Sequence, residues 1–520
     1  MTGHTIYHIV RADFLERTRR FSFLATLGLA IYLGFLVNNG TIGVSLGKYR
    51  GEFNGAWVGA MMSIVATFFL SWFGFFLVKN SVQRDRSTGV GQIIATTPLG
   101  KLPYVAGKTL SNFAVLSVMV VILILAAILL LLLGDARSDF NLWQFVAPFL
   151  LLTIPSLAVV AAVAVLFECI AFLRGGMGNV VFFFGWMSIL VSGMETRSDV
   201  LDISGLLTVS ESMKEAANAA FADYGDGFVL GSSGHPVEGT FLWNGIAWTG
   251  DLLLRRLGWV GVACCVVGLA SLVFTRFDPS REKLIARSRR AKKPRGSDEA
   301  EAVSSPAPVH HLRLTSLPTR SRFGAIVLAE LRLMLKGLPW WRYAGAMILV
   351  VVCCTVPLNE ARQFALPFAW IWPLLLWSSM GTREEQFRTH ELVRSAPRSL
   401  QRQLPALLLA GVIVAAMTGS GILVRLLADG DLPGIMMWSV GVAFIPSLAL
   451  ASGVWSGSAR LFEVLYMAMW YVGPLSKAAE LDFIGAFGVT NIPSLPIIYG
   501  CATIVLCVLA FVGRKHKMMG

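Results

Sequence analysis

Charge is what this sequence has least of. Only 14% of its 520 residues are Asp, Glu, Lys or Arg, where an ordinary soluble domain carries about 25%. A water-soluble protein with so little charge would expose apolar surface over most of its area. That excludes a soluble enzyme, a disordered chain and a fibrous protein. The seven cysteines form no CxxC pair and all lie in apolar runs. They read as small buried residues, not as a disulfide framework or a zinc site. The seven histidines form no HExxH and no ligand cluster within a helix, and His310-His311 is incidental. No ladder of acidic residues crosses the apolar runs, as a proton-coupled carrier would need. Glu168 and Arg425 fall near the ends of such runs, where solvation or snorkelling accounts for them.

What is present is apolar sequence, 55% of the chain. A spanning helix needs about 20 mostly apolar residues. Twelve segments qualify or nearly do. Their centres lie near Ala30, Val65, Ile124, Leu157, Gly185 and Val267, then near Val350, Pro373, Val414, Pro446, Ala468 and Ile504. The 50 glycines and 21 prolines are compatible with this, because membrane helices tolerate both.

The net charge of +13 is distributed unevenly. Basic residues collect at Arg11–Arg20, at Lys79–Lys108, at Arg281–Arg295, at Arg383–Arg402 and at Arg514–Lys517. With twelve alternating spans all of these fall on one side, and the short acidic loops Asp135–Asp139 and Asp429–Asp431 fall on the other. By the positive-inside rule both termini are then cytoplasmic. The bias explains the positive charge without nucleic acid. The expected location is a cell membrane, the cytoplasmic membrane of a bacterium.

Residues 5–20 place Ile6, Ile9, Val10 and Phe14 on one helical face. Such a helix lies in the membrane interface. The first apolar run starts only after about twenty residues and no A-x-A site follows it, so it does not read as a cleaved signal. Residues 278–322 are rich in Arg, Lys, Ser, Pro and Glu, and read as a solvated basic linker. They divide a first unit, 1–277, from a second, 323–520.

The two long basic loops resemble each other. Arg84-Asp85-Arg86-Ser-Thr-Gly-Val-Gly-Gln92-Ile93-Ile94-Ala-Thr-Thr-Pro98 aligns without a gap with Arg383-Glu384-Glu385-Gln-Phe-Arg-Thr-His-Glu391-Leu392-Val393-Arg-Ser-Ala-Pro397. Arg84 and Arg383 stand 299 residues apart, and so do Pro98 and Pro397. Upstream, Ile9-Val10-Arg-Ala12-Asp13 resembles Ile326-Val327-Leu-Ala329-Glu330. The reading is an all-α polytopic membrane protein with about twelve transmembrane helices, arranged as two parallel six-helix repeats. Parallel repeats put a pseudo-two-fold axis along the membrane normal, with a pathway on that axis.

The loop motif resembles the cytoplasmic loop of ABC-2 type transporter permeases: an acidic–basic start, a Gly-Thr-like step, an acidic or amide residue, an aliphatic pair and a proline. The first copy departs with Gln92 in the acidic position, and the second keeps Glu391 but lacks the glycine. The resemblance implies interfacial elbow helices and cytoplasmic coupling helices, about Arg86–Thr97 and Glu385–Ala396, each docking on a cytoplasmic ABC ATPase. Arg86, Gln92, Ile93, Ile94, Glu385, Glu391, Leu392 and Val393 are the implied contact residues. Two copies of the ATPase are expected, carrying the ATP and Mg; accessory proteins can join them. The chain itself binds no cofactor in this reading. Gly107-Lys108-Thr109 looks like the end of a Walker A motif, but Leu102 stands where its first glycine belongs. The chain is thus expected to be a transport subunit and not an enzyme.

Aromatic residues crowd the second and fifth segments of both halves. Phe69, Trp72, Phe183, Trp186, Trp372, Trp377 and Trp470 are the candidates for an apolar substrate pathway, suited to a hydrophobic or amphipathic export substrate. The aromatic belts of the membrane interface offer an alternative role for each one. Segment 195–256, with Trp243 and Trp248, suits re-entrant or interfacial elements on the outer side. A secondary carrier and a non-transport membrane anchor are the competing readings of the whole chain.

Overall fold

A computed structural model describes residues 2–19, 21–38, 43–46, 49–133, 141–197, 200–221, 228–231, 239–277, 323–387, 389, 393, 395, 399–475, 479–487 and 492–519. The expected linker, Glu391 and Leu392 lie outside the described residues. The chain forms two compact units, divided at Asp298 and Glu299.

Unit 1 begins with helices α1 (Thr2–Thr18) and α2 (Phe21–Asn38). Strands β1 (Gly43–Leu46) and β2 (Tyr49–Gly51) lead into α3 (Gly55–Val78). Two short helices, α4 (Ser81–Ser87) and α5 (Val90–Thr96), precede α6 (Lys101–Leu133). Then come α7 (Leu142–Cys169), α8 (Gly176–Glu195), α9 (Leu206–Ala220), strands β3 (Phe228–Gly231) and β4 (Gly239–Phe241), and α10 (Gly250–Val273).

The long helices start and stop where capping chemistry allows. Asn54 caps α3, its side-chain oxygen accepting from the Trp57 N–H at 2.8 Å, and its amide donates to the Trp243 carbonyl at 2.8 Å. Thr249 caps α10 through the Leu252 N–H. These side chains occupy donors that a helix start leaves open. Within α7 the backbone relaxes into a π turn at Phe149–Thr153, between Pro148 and Pro155. Proline lacks the N–H that an α-helical ladder needs, and the wider turn absorbs the break. Thr153 is buried there, and its hydroxyl meets Ser63 Oγ at 3.1 Å and Thr67 Oγ1 at 2.9 Å on α3. Polar groups so deep in an apolar bundle must pair within the protein.

The four strands form one sheet in the order β3-β1-β2-β4. β1 pairs antiparallel with β2 (Ser45 opposite Arg50) and with β3 (Gly43 opposite Gly231), and β2 runs parallel to β4 (Tyr49 opposite Gly239). An all-helical reading does not anticipate it. The strands are three or four residues long, too short for a period of two to show. Their backbone groups are satisfied only by joining segments almost 200 residues apart in the chain, which no local pattern reveals. The sheet stands at the opposite end of α3 from Lys79 and Arg84. We call the two ends of unit 1 the sheet end and the basic end.

Unit 2 opens with α11 (Phe323–Leu335) and α12 (Trp340–Thr355), bent by 106° at the break between them. A π turn at Ala361–Ala365 leads into α13 (Leu366–Ile371), followed by α14 (Leu374–Trp377) and α15 (Arg383–Gln386). The remaining helices are α16 (Ser399–Thr418), α17 (Ser420–Ala428), α18 (Leu432–Ser456), α19 (Ala459–Trp470) and α20 (Leu495–Met519).

Among the described residues eight helices are long and apolar enough to cross a membrane, or nine if the bent pair is one span. The chain thus has the helices of a multi-pass membrane protein, with fewer uninterrupted spans than the twelve expected. The differences have physical causes. The apolar part of α2 is short, Thr26–Val37. Pro373 breaks the segment around it into α13 and α14, and Pro474 lies in the π turn Tyr471–Leu475 that ends α19.

Because the sheet joins the segments on either side of α9, single cysteines at Ala219 and Thr88 should lie on opposite sides of the membrane. Impermeant maleimide added to sealed vesicles of a cysteine-free background should reach only one of them. Labelling of both from one side would contradict this topology.

Candidate functional site

The basic end of unit 1 is built around a buried ionic cluster. Asp13 of α1 accepts from Arg84 of α4 at 2.8 Å and from Lys108 of α6 at 2.8 Å. Lys108 also pairs with Asp85 at 2.7 Å, and the Tyr104 hydroxyl donates to that carboxylate at 2.7 Å. Asp13, Asp85 and Lys108 are all buried. Uncompensated, each would carry a large desolvation penalty; paired and hydrogen-bonded, they fix three helices in one register. Arg84 reaches Glu16 as well. Beside the cluster, Val82, Tyr104, Val105, Val165, Cys169, Phe274 and Phe277 form a small apolar core.

The first predicted coupling segment, Arg86–Thr97, is not one helix. α4 and α5 are separated at Gly89, whose φ of +80° suits glycine and ends α4. The aliphatic pair divides. Ile93 is 66% exposed, whereas Ile94 turns inward and packs on the apolar core. Gln92 and Val90 are exposed with Ile93. Arg86 lies 5.5 Å from the Phe277 ring, a cation–π distance. The tip of the segment is therefore a small apolar surface without charge, mounted on a charged, buried base.

In unit 2, Glu330 of α11 lies 3.8 Å from Arg383. Gln403 of α16 donates to Glu384 at 3.0 Å, and Arg514 of α20 pairs with the same carboxylate. Burial pushes the Arg383 guanidinium below its ordinary pKa, with Glu330 opposing the shift. Exposed Glu385 pairs with Lys517. Of the second predicted coupling segment the described part is α15 and isolated residues after it, with Phe387 68% exposed and Val393 half-buried.

The two clusters use corresponding positions. The loop alignment pairs Arg84 with Arg383 and Asp85 with Glu384, and the same offset pairs Tyr104 with Gln403. The upstream match pairs Asp13 with Glu330. In each unit the acidic residue of the first helix meets the arginine, and the residue at 104 or 403 donates to the loop carboxylate. The added cation differs: Lys108 in unit 1, Arg514 from the last helix in unit 2.

The opposite ends hold a second pair of sites, which the sequence reading missed. Asp202 accepts from the Thr208 N–H at 3.0 Å and from Arg256 at 3.0 Å. Asp482 accepts from the N–H groups of Gly485, Ala486 and Phe487 at 2.9–3.0 Å. Three residues after each aspartate is a glycine with φ near +80°, Gly205 or Gly485. Each is pressed against a helix side chain, Leu152 or Met437. Gly193 and Gly473 face the carbonyls of Leu201 and Leu481 so closely that a side chain on either would collide or force a shift. Gly193 and Gly473, Leu201 and Leu481, Asp202 and Asp482, and Gly205 and Gly485 are all 280 residues apart. A search for a second fixed offset would have found Asp-x-x-Gly.

Trp243, in the segment expected to hold re-entrant or interfacial elements, is 2% exposed, its indole N–H donating to Ser212 at 3.1 Å. Arg425 reaches the Val356 carbonyl just beyond α12, and so caps that helix.

The candidate pathway aromatics mostly pack within their own unit. Trp72 lies against Phe183 at 5.0 Å, and Trp186 stacks on Phe182 at 5.7 Å. Phe69 stacks on Phe73 and borders a small apolar crevice with Met62, Leu123 and Phe149. Trp377 and Trp470 are fully buried, donating to the carbonyls of Gly411 at 3.2 Å and Pro367 at 2.8 Å. Trp372 is 39% exposed and meets Trp341 edge-on. Among the described residues no three His, Cys, Asp or Glu side chains group to hold a metal ion. No protein-family model matches the chain, and no curated protein or solved structure does.

The paired aspartates respond differently to neutralisation. Asp202→Asn strands the buried Arg256 and should cost about 3 kcal/mol or more. Asp482 has no cation against it among the described residues, and burial pushes its pKa up. Asp482→Asn should cost about 1 kcal/mol. Thermal melts in detergent check the order of the two.

Proposed function

We propose that the chain is the transmembrane subunit of an ATP-binding-cassette exporter, two ABC-2 type permease units fused head to tail. The observation that carries the reading is the correspondence of contacts at the basic ends. Residues matched by sequence alone, Asp13 with Glu330, Arg84 with Arg383, Asp85 with Glu384 and Tyr104 with Gln403, make the same kind of contact in each unit. The Asp-x-x-Gly turns at the other ends add a second, independent correspondence. Duplication accounts for both; coincidence in unrelated halves does not.

In this reading each half comprises an elbow helix and six spans, some of them broken, with the basic ends in the cytoplasm of a bacterial cell. The α4–α5 segment and its counterpart from Arg383 onward dock on two ATPase subunits, which supply ATP and Mg. A rigid charged base with an exposed apolar tip suits that task. The base transmits force, while Val90 and Ile93 offer a surface that a groove can bury. Closure of the ATPases would then drive a hydrophobic or amphipathic substrate outward. A secondary carrier leaves the duplicated loop clusters without a role.

Ile93→Asp tests the docking surface. Its side chain is exposed, so folding should be unchanged. A carboxylate buried in an apolar groove costs several kcal/mol, so copurification with the ABC ATPase subunit that the parent binds should be lost. Ile94→Asp should instead destabilise the protein itself, because Ile94 packs on the core. An Ile93→Asp protein that binds the ATPase as well as the parent would overturn this docking surface, and a parent that binds none would overturn the reading.

A further inference from the structure

Glu168 stands at the basic end of α7, 1% exposed. Among the described residues its carboxylate is met by backbone N–H groups and a hydroxyl, not by a cation. One oxygen accepts from the N–H of Asn80 at 2.7 Å and of Ser81 at 3.0 Å, and from the Ser81 hydroxyl at 3.2 Å. The other accepts from the N–H of Val82 at 2.6 Å and of Gln83 at 2.9 Å. Four successive backbone donors therefore converge on one carboxylate. They can do so because Asn80 adopts φ +81° before α4 begins, which turns its N–H to the same side as those that follow, the geometry of an anion-binding nest.

The surroundings hold the α7–α8 turn equally firmly. Arg174 donates to the Glu168 carbonyl at 2.9 Å and to the Cys169 carbonyl at 3.3 Å. Lys79 donates to Asn179 at 2.5 Å and to the Gly175 carbonyl at 3.1 Å. The ends of α3 and α7 and the start of α8 are thus clamped around the first turn of α4.

Unit 2 solves the same problem differently. Leu152 and Met437 each press on the left-handed glycine of their unit, 285 residues apart. Carried along α7 and α18, that offset pairs Glu168 with Gly453. Gly453 lies directly on the Met380 carbonyl, where any side chain would overlap. In unit 1 a carboxylate bridges the gap; in unit 2 the backbones touch.

We infer that Glu168 is a positioning residue: it fastens α4 to α7, so that the segment carrying Ile93 moves as one body with the α7–α8 turn. The functional consequence rests on the permease reading above, but the fastening does not. Glu168→Gln places an amide N–H₂ among N–H groups and leaves donors unpaired. Glu168→Asp keeps the charge and shortens the reach, so it should fall between the parent and the Gln variant, and it carries the test if the Gln variant folds poorly.

The experiment has two arms. In the purified protein alone, spin labels at Thr88 and Phe172, both exposed, should give a narrow distance distribution in the parent and a broad one in Glu168→Gln. Amide exchange at 80–83 should rise about tenfold, the factor for one hydrogen bond of ordinary strength. Unchanged distances and exchange would overturn the fastening. In the assembly with the ATPase, reconstituted in lipid nanodiscs, Glu168→Gln should still copurify, while its ATP hydrolysis falls at least several-fold below that of the parent assembly. Parental hydrolysis beside broadened distances would overturn the positioning role. A parent that binds no ATPase would count against the permease reading and leave the first arm to decide the fastening.

Discussion

Buried charge has to be paid for inside an apolar bundle, and that constraint organises both ends of unit 1. Asp13, Asp85 and Lys108 are buried at the basic end of unit 1 and survive there because each meets a partner within 2.8 Å. The pairing ties α1, α4 and α6 together at the loop between the long helices α3 and α6. Asp202 and Arg256 do the same at the sheet end. Removing Asp202 would leave Arg256 without a countercharge, and removing any member of the Asp13–Lys108–Asp85 cluster would unbalance buried charge where water cannot compensate, so each cluster fixes one arrangement of its helices.

The corresponding contacts of the two units indicate which parts of that design tolerate change. The acid–arginine contact and the donor to the loop carboxylate occur in both units. The extra cation comes from α6 in unit 1 and from α20 in unit 2, so its source is free provided that charge is balanced. Glu168 and Gly453 make the same point for the turn before the loop. A carboxylate with four N–H partners and a glycine with none both close the space between a long helix and the segment it supports.

Much of this was legible in the sequence, and the limits have physical causes. The apolar runs announced the membrane class because burial in lipid demands long stretches without charge. The loop alignment set Arg84 opposite Arg383 and Asp85 opposite Glu384, because charged residues at a fixed spacing are rare in such a composition, but the contact residues read from it were their neighbours from Arg86 and Glu385 onward. Proline and short apolar length broke segments that composition alone read as spans, at Pro373 and Pro474. The sheet was invisible because its strands are three or four residues long and pair across the chain. The inward turn of Ile94 was invisible because Gly89 resets the helix before it. Glu168 was visible as an acidic residue near the end of an apolar run, but its donors are backbone groups, which carry no signature.

The central claim is that the chain is a permease served by two ATPases, one for each half. Native mass spectrometry of the assembly purified through a tag on this chain tests it most directly. The account predicts a complex of one copy of this 56.5 kDa chain with two nucleotide-binding subunits. A chain that purifies from gentle detergent without any nucleotide-binding subunit, under conditions that keep other membrane complexes whole, would contradict it.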